Sequence, residues 1–516
     1  MSAQSNYWLE SVLDAVEARQ PLGSILVCSG ITPSGPYHVG HAREILTAEA
    51  IRRGLEQRGR TATHTHNVDD FDALRKRYTW LPESYESQAG KPVYLIPAPD
   101  GKARNYAEQY FSQYEAAAVQ LGIPMTIWRS HVEYQAGVFA DLITTALNRR
   151  DEISQILAVV SGREVPLDWQ PIQILDAATE SLRTAEFLSY DAASGIVEYR
   201  SNDGTTRQAA MKKGEVKLDW RIDWPARWAL LGVHAEGFGK EHATKGGSYD
   251  TGAMIAREIF GVEPPVAVPF NPINLKGDTR KMSSSLGNLV TIHDALQFIP
   301  PEILRYFVFK SLPTKVLDFD PGIGMYSLID EYAATESAVQ TRQPAEFAEA
   351  WRVSVLEPSQ ATVSTIPFSH LVATYQAASR KPELTLQLLA KTHPEQATTQ
   401  TAVLKRQLTY VEQWLDSGYA PEAVVFAVAT TLPQVQLTEE QTSVLDTLAA
   451  QYPVEPTAEL VQTHIFETIR LSELPPRTVF ELLYQLFIGK PAGPKLGAFL
   501  SDLDRDFVVA RLRREG

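Results

Sequence analysis

The sequence predicts an α/β amino-terminal half interrupted by a small β-rich insertion, followed by an all-helical carboxy-terminal domain. Three observations predict it. Residues 24 to 80 read strand, glycine-rich turn, helix, strand, the order of a parallel α/β sheet. Residues 165 to 215 turn short, alternating and polar, with turn signals at "DAASG" and "SNDG". Only five of the thirty glycines lie beyond residue 330, a depletion that suits helices rather than turns.

Along the chain, "SILVC" is a short apolar strand. "AREILTAEAIRRGLEQRG" spaces its apolar residues for a helix through about residue 58, and "RTATHTHNVDDFD" is β-branched enough for a second strand. "NYAEQYFSQYEAAAVQLG" and "YQAGVFADLITTALNRRDEISQIL" carry helical patterns between 105 and 160. After the insertion, 217 to 310 return to α/β character. "PFSHLVATYQAAS", "TAVLKRQLTYVEQWLDSG" and "PRTVFELLYQLFIG" then space apolar residues helically. The resulting divisions are 1–164, the insertion 165–216, 217–312, a linker 313–330 and a helical domain 331–516.

Composition narrows the function classes. At 516 residues, about 150 residues per domain gives about three domains. No run of about 18 apolar residues appears, so a membrane span is not expected. The first twenty residues lack a basic region followed by an apolar one, so no signal peptide is expected and a cytoplasmic location is. The single cysteine, Cys28, excludes an intramolecular disulfide and any cysteine-rich zinc site. A net charge of -14 argues against a wholly basic nucleic-acid-binding surface, while leaving room for a local basic patch.

The strand-to-helix turn is "SGITPSGPYHVGH", residues 29 to 41. A helix amino terminus offers unpaired N–H groups and partial positive charge, and glycine lets a phosphate approach. Gly35 and Gly40 fit that need. His38 and His41, three apart, share a face once the helix begins and can both donate to phosphate oxygens. Far downstream, "KGDTRKMSSSLGN" supplies Lys281 followed by small hydroxyl residues, a loop able to offer an ammonium and several donors to a polyphosphate.

Together, "HVGH" and "KMSSS" resemble the HIGH and KMSKS motifs of class I aminoacyl-tRNA synthetases. The blocks "SGITPSGPYHVGHAREILTAEAIRR", "NVDDFDALRKRY", "KLDWRIDWPARWALLGVHAEGFGKEHATKGGSYDTG" and "LFIGKPAGPKLGAFLSDLDRDFVVARL" are similar to the class I lysyl-tRNA synthetase family in particular. The resemblance implies a Rossmann-type catalytic domain split by the insertion, ATP with Mg2+ bound between the two motifs, lysine and tRNA(Lys) as substrates, and a helical anticodon-binding domain. His38, His41 and Lys281 would be the catalytic residues. Pro33, Gly40, Met282, Ser283 and Ser284 would meet ATP, Gly239 and Glu241 its ribose, and Gly246, Gly247 and Asp250 would border the nucleotide. Gly30, Thr32, Glu44, Trp224, Glu236, Phe238 and His242 would form the lysine site.

A lysine pocket needs a carboxylate for the ε-ammonium and an apolar wall for its stem. Glu44, Asp69, Asp223 and Glu236 are the candidate acids, and Trp224 and Phe238 the wall. The sequence departs from the family in four places. It has His41 where the family often has asparagine, Leu286 where lysine is common, and Phe270–Asn271 where an aromatic–acidic pair is usual. It also lacks the insertion's zinc-binding cysteine pairs, so no structural zinc is expected and a packed core must replace the metal. Competing readings are a class I synthetase for another amino acid such as glutamate or arginine, a nucleotidylyltransferase of HIGH-type fold, and a synthetase-like protein that binds tRNA without charging it. Trp414, Tyr410 and Tyr452 in the helical domain are available to stack on bases, as Lys405 and Arg406 are to meet phosphate; packing and a solvated face are their ordinary roles.

Overall fold

The computed structural model describes residues 7–277 and 289–515. Its strands, in chain order, are β1 (Ile25–Ile31), β2 (Ala62–Val68), β3 (Thr126–Arg129), β4 (Ile172–Ile174), β5 (Glu186–Asp191), β6 (Ile196–Arg200), β7 (Thr206–Ala210), β8 (Val216–Leu218), β9 (Ala235–Gly239), β10 (Val266–Phe270), β11 (Ile273–Leu275) and β12 (Leu317–Phe319). The α-helices that precede β10 are α1 (Trp8–Arg19), α2 (Val39–Gln57), α3 (Tyr106–Gln120), α4 (Ser130–Gln135), α5 (Ala140–Asn148), α6 (Arg150–Ser161), α7 (Trp220–Leu231) and α8 (Ser248–Glu258). The chain forms two compact units: one of Met1–Leu296, Leu304–Phe319 and Arg352–Ser354, the other of Gln297–Ile303, Asp320–Trp351 and Val355–Gly516.

In the first unit five parallel strands pair in the order β10–β9–β1–β2–β3. The chain leaves β1 for β2 on one side and returns as β9 on the other. The order therefore reverses between β1 and β9, and a crevice opens at their carboxyl ends, where doubly wound sheets bind ligands. α2 packs on β1, β2 and β9 and buries Val39, Ile45, Leu46, Ile51 and Leu55 completely. The edge strand β3 is the element the helical reading of 105–160 passed over. "TIWR" is four residues long, too short to show a period, and its place comes from pairing with Thr65–Val68.

The insertion builds the antiparallel sheet β5–β6–β7 and the antiparallel pair β4–β8. Val197, Tyr199, Met211, Val216 and Leu218 join Tyr134, Phe139 and Ile143 in one hydrophobic cluster. A polar joint supplements that packing. The fully buried Asp176 carboxylate accepts from Ser201 Oγ at 2.6 Å, Ala178 N at 3.0 Å, Thr184 Oγ1 at 2.9 Å and Asn202 N at 3.0 Å. It ties the turn after β4 to the turn after β6.

Between residues 313 and 330 lie β12, which pairs in parallel with β11, and the start of the helix Gly324–Gln340. In the second unit the helices include Phe368–Ala377, Thr401–Asp416 and Pro476–Ile488. Trp414 is fully buried, its indole donating to Pro321 O at 2.7 Å, and Tyr452 Oη donates to Leu500 O at 3.0 Å. Arg406 Nη2 is bound to the carbonyls of Ala361 and Thr362 at 2.9 and 2.7 Å. These residues hold the helical core. Among the described residues no helix is long and apolar enough to cross a membrane.

Candidate active site

The turn after β1 is fixed from beneath by aromatic rings. Tyr106 Oη donates to Ser34 O at 2.7 Å, and Tyr114 Oη donates to His41 O at 3.1 Å. Tyr37 packs 4.5 Å from the Tyr114 ring and 5.3 Å from His41. A side chain at Gly35 would place its Cβ 2.8 Å from Trp80 Cζ2. Pro33 is buried within the same turn.

The two histidines cap α2 reciprocally. His38 Nδ1 accepts from Gly40 N at 3.1 Å, and His41 Nδ1 accepts from His38 N at 3.1 Å. Their ring centroids lie 3.9 Å apart. A neutral imidazole whose Nδ1 accepts carries its proton on Nε2. The capping pattern therefore sets both rings in the tautomer that donates through Nε2, the form a phosphate oxygen requires. Gly40 makes this possible: a Cβ there would lie 2.7 Å from the His38 ring.

The chain on both sides of residues 278–288 is tied to the same helix end. Val39 N donates to Val290 O at 2.9 Å, and His38 forms a β-bridge with Thr291. On the other side the buried Arg43 guanidinium donates to the carbonyls of Asn271, Pro272, Leu312, Pro313 and Lys315 at 2.6, 3.4, 3.2, 2.9 and 3.0 Å. Burial lowers the Arg43 pKa to about 10, so it remains charged. Lys281, Met282, Ser283 and Ser284, with Leu286, lie outside the described residues.

β9 supplies the opposite wall. Glu236, buried, accepts from Trp224 Nε1 at 3.1 Å and from Trp228 Nε1 at 2.6 Å. Phe238 meets Trp224 edge-on at 5.2 Å, and His242 lies 5.6 Å from Trp224 and 6.5 Å from Phe238. The structure thus brings Trp224, Glu236, Phe238 and His242 into one cluster. Glu44 Oε1 accepts from Gly30 N at 3.2 Å, joining α2 to β1. Burial raises the Glu44 carboxyl well above its ordinary range, and the charges of Glu236 and Glu241 add to the rise despite the Gly30 hydrogen bond. Burial also raises Glu236, while Arg227 and the two indoles pull it back in part. Glu44, Glu236 and Glu241 thus lie close enough to disfavour one another's ionisation, a cost that an added cation would relieve.

Beyond β9, Gly239 lies against its neighbour: a Cβ there would be 2.7 Å from Glu241 Oε2. Gly246 holds φ +71°, donates its N–H to Asp250 Oδ2 at 2.8 Å, and would bring a Cβ within 2.6 Å of Val160 O. Gly247 is the N-cap of α8, with Thr244 O 2.6 Å from its would-be Cβ. Glycine pair and acid together form the mouth of α8.

Asp69 and Asp223 do not stand open to a ligand. Arg227 reaches Asp69 Oδ1 at 3.0 Å and Asp223 Oδ2 at 3.1 Å, and Tyr134 Oη donates to Asp223. Thr32 Oγ1 donates to Asp72 Oδ2 at 3.0 Å, and Lys217 Nζ lies 3.1 Å from Asp72 Oδ1. Sequence reasoning missed Arg43, Asp72, Lys217 and Trp228. The third acid of "NVDDFD" and the lysine opening "KLDW" were the available signals. The β2 carboxyl end and β8 that bring them together are features of the folded sheet.

The family described as tRNA synthetases class I (K) matches residues 6–358. Three curated relatives carry the name lysine–tRNA ligase. That of Methanosarcina barkeri strain Fusaro is 36% identical, covering 99% of this chain and 97% of its own. A second, numbered 1, from Methanosarcina acetivorans is 35% identical, covering 98% and 98%. That of Archaeoglobus fulgidus is 33% identical, covering 98% and 99%. With a family match over more than half of its length, and with the histidine-capped helix at the switch point of a parallel sheet, the chain belongs to the class I (K) tRNA synthetases.

Proposed function

We infer that this protein is a lysine–tRNA ligase, which activates lysine with ATP to lysyl-adenylate and transfers the lysyl group to the 3′ end of tRNA(Lys). The likeness to lysine–tRNA ligases over nearly the whole of both chains carries the reading. The convergence of Glu44, Glu236 and Glu241 beside the Trp224–Phe238 cluster supports it.

In the first step a lysine carboxylate oxygen attacks the α-phosphorus and pyrophosphate leaves. Such chemistry rests on positioning and charge neutralisation rather than on a protein nucleophile. His38 and His41 donate through Nε2 to the α-phosphate, and the α2 amino terminus at Gly40 adds its dipole. Lys281 holds the departing pyrophosphate, aided by Met282, Ser283 and Ser284. Gly239 and Glu241 take the ribose, an acid there accepting its hydroxyls. Gly246, Gly247 and Asp250 border the adenylate, and Pro33 shapes the turn beneath it. Gly30, Thr32, Glu44, Trp224, Glu236, Phe238 and His242 receive lysine. Magnesium enters with ATP. The helical unit reads the tRNA anticodon, and the enzyme works in the cytoplasm. Charging of tRNA(Lys) transcript with labelled lysine tests the reading. Lysyl-tRNA formed by the wild type and lost in His38→Ala supports it; tRNA bound but never charged sinks it.

A further inference from the structure

Thr32 stands at the carboxyl end of β1, part-exposed to the crevice, with its hydroxyl proton directed away from it. The Oγ1–H donates to Asp72 Oδ2 at 3.0 Å. The other Asp72 oxygen lies 3.1 Å from the Lys217 ammonium, whose side chain is 2% exposed. Burial acts to raise the Asp72 carboxyl, but Lys217, the Thr32 hydroxyl and Arg227 outweigh it and hold it below the ordinary range. Lys217 likewise stays protonated, because Asp223, Asp72 and Asp69 overcome the cost of its burial. An ionised carboxylate only accepts hydrogen bonds, so Thr32 has to be the donor. A hydroxyl has one proton and two lone pairs. With its proton committed to Asp72, Thr32 presents only lone pairs to a ligand. Among the described residues no protein group donates to Thr32 Oγ1.

We propose that Asp72, held by Lys217 from the insertion's last strand, is a specificity-determining positioning residue that fixes Thr32 as a hydrogen-bond acceptor for a primary ammonium of the substrate. The inference rests on the lysine-ligase reading and deepens it. A Thr32 free to rotate would accept from an ammonium or donate to a carboxylate or hydroxyl equally well. Asp72 removes the second option, so amino acids that place an acceptor there meet lone pairs against lone pairs. Two features lend precision. Asp72 is reached from both sides by fixed donors, and Lys217 sits in the pleat of β8, where its partner β4 is antiparallel and in register, Gln173 opposite Lys217. The insertion thus reaches the amino-acid site through a single buried charge.

Asp72→Asn reverses the hydrogen-bond polarity with almost no change of shape. Lys217 requires an oxygen, so the new amide turns its NH2 toward Thr32. Thr32 then accepts from Asn and points its proton into the crevice, donor against ammonium. ATP–pyrophosphate exchange measures the consequence. The wild type, Asp72→Asn, Thr32→Val and the double variant are compared for lysine KM, ATP KM and thermal midpoint. The expected result is a lysine KM raised at least about tenfold in Asp72→Asn and in Thr32→Val. ATP KM stays within twofold, and the double variant is no worse than Thr32→Val. Thr32→Ser, which keeps the hydroxyl, restores most of the affinity. Norleucine and ε-aminocaproate as inhibitors tell the α-ammonium from the ε-ammonium: Asp72→Asn weakens the compound that retains the ammonium Thr32 accepts. An unchanged lysine KM in Asp72→Asn, or the same fold-increase with Val at position 32 as with Thr, overturns the proposal alone. A wild type that exchanges pyrophosphate with no lysine dependence overturns the lysine reading as well.

Discussion

Asp176→Asn tests how the insertion holds together. The carboxylate joins two turns by accepting four hydrogen bonds, two on each oxygen, from Ser201 and Ala178 and from Thr184 and Asn202. Asparagine keeps one oxygen and faces the other pair of donors with an NH2 group. A buried donor left unpaired costs about 1–3 kcal/mol. The Thr184 hydroxyl can turn to Thr179 Oγ1, 2.7 Å away, so the substitution costs about 1–3 kcal/mol, mostly through a backbone N–H. The titration of the group gives a similar size. Burial acts to raise its pKa, but the hydrogen bonds from Ser201, Asn202, Ala178 and Thr184 hold it at about 2. Against an ordinary value of 3.8 that is about 2 kcal/mol. Because the folded pKa lies below the unfolded one, this stability is present in full above about pH 4 and is lost as the pH falls toward 2. Hydrogen exchange read by mass spectrometry is the direct assay. In Asp176→Asn the amides of 176–205 lose protection by a factor of about 5 to 150, while β1 and β2 keep theirs. Unchanged protection in the variant would refute the reasoning.

Other substitutions probe the site and its supports. Gly40→Ala pushes the His38 ring off its cap and is expected to lower kcat of ATP–pyrophosphate exchange at least about tenfold, with lysine KM little changed. Arg43→Met strips a charged donor from five carbonyls and should cost about 3 kcal/mol or more in a urea titration; a midpoint equal to that of the wild type contradicts the stapling role. Glu236→Gln keeps an oxygen within reach of both indoles but removes an acid from the site, so lysine KM should rise about tenfold while ATP KM holds. In the helical unit, burial raises Asp502 to about 6 although Thr374, Lys391 and His393 act against the rise. Its folded pKa exceeds its unfolded one, so it withdraws stability as the pH climbs from about 4 through 6. Asp502→Asn should flatten that dependence, and an unaltered stability–pH curve speaks against it.

The sequence was most informative where local physics decides the outcome. The β1–turn–α2–β2 order follows from periodicity and glycine placement, and the structure keeps α2 at Val39–Gln57. The pairing of His38 and His41 at the start of α2 was legible, but the reciprocal caps that set their tautomer depend on backbone geometry at Gly40. Trp224 and Phe238, expected together as a wall, do meet edge-on, but the pairing of the Trp224 and Trp228 indoles on Glu236 was not read from their spacing of four. Spacing could not tell which acids stay open. Asp69 and Asp223 look like Glu44 in sequence, and the positions of Arg227, Tyr134, Asn67 and Ser130 separate them. The hidden parts are long-range: Lys217 meets Asp72 across 145 positions, and Arg43 meets the carbonyls of 271 and 315. Likewise β3 is a strand because β2 lies beside it, not because four residues prefer to be one.

On the proposed reading, the crevice between β1 and β9 activates lysine. ATP–pyrophosphate exchange on the purified full chain, across all standard amino acids and with and without tRNA(Lys), tests it most directly. Exchange that depends on lysine and is abolished in His38→Ala is expected. Exchange driven by another amino acid would keep the family and contradict the substrate; no exchange in either condition, with ATP and tRNA still bound, would contradict catalysis itself.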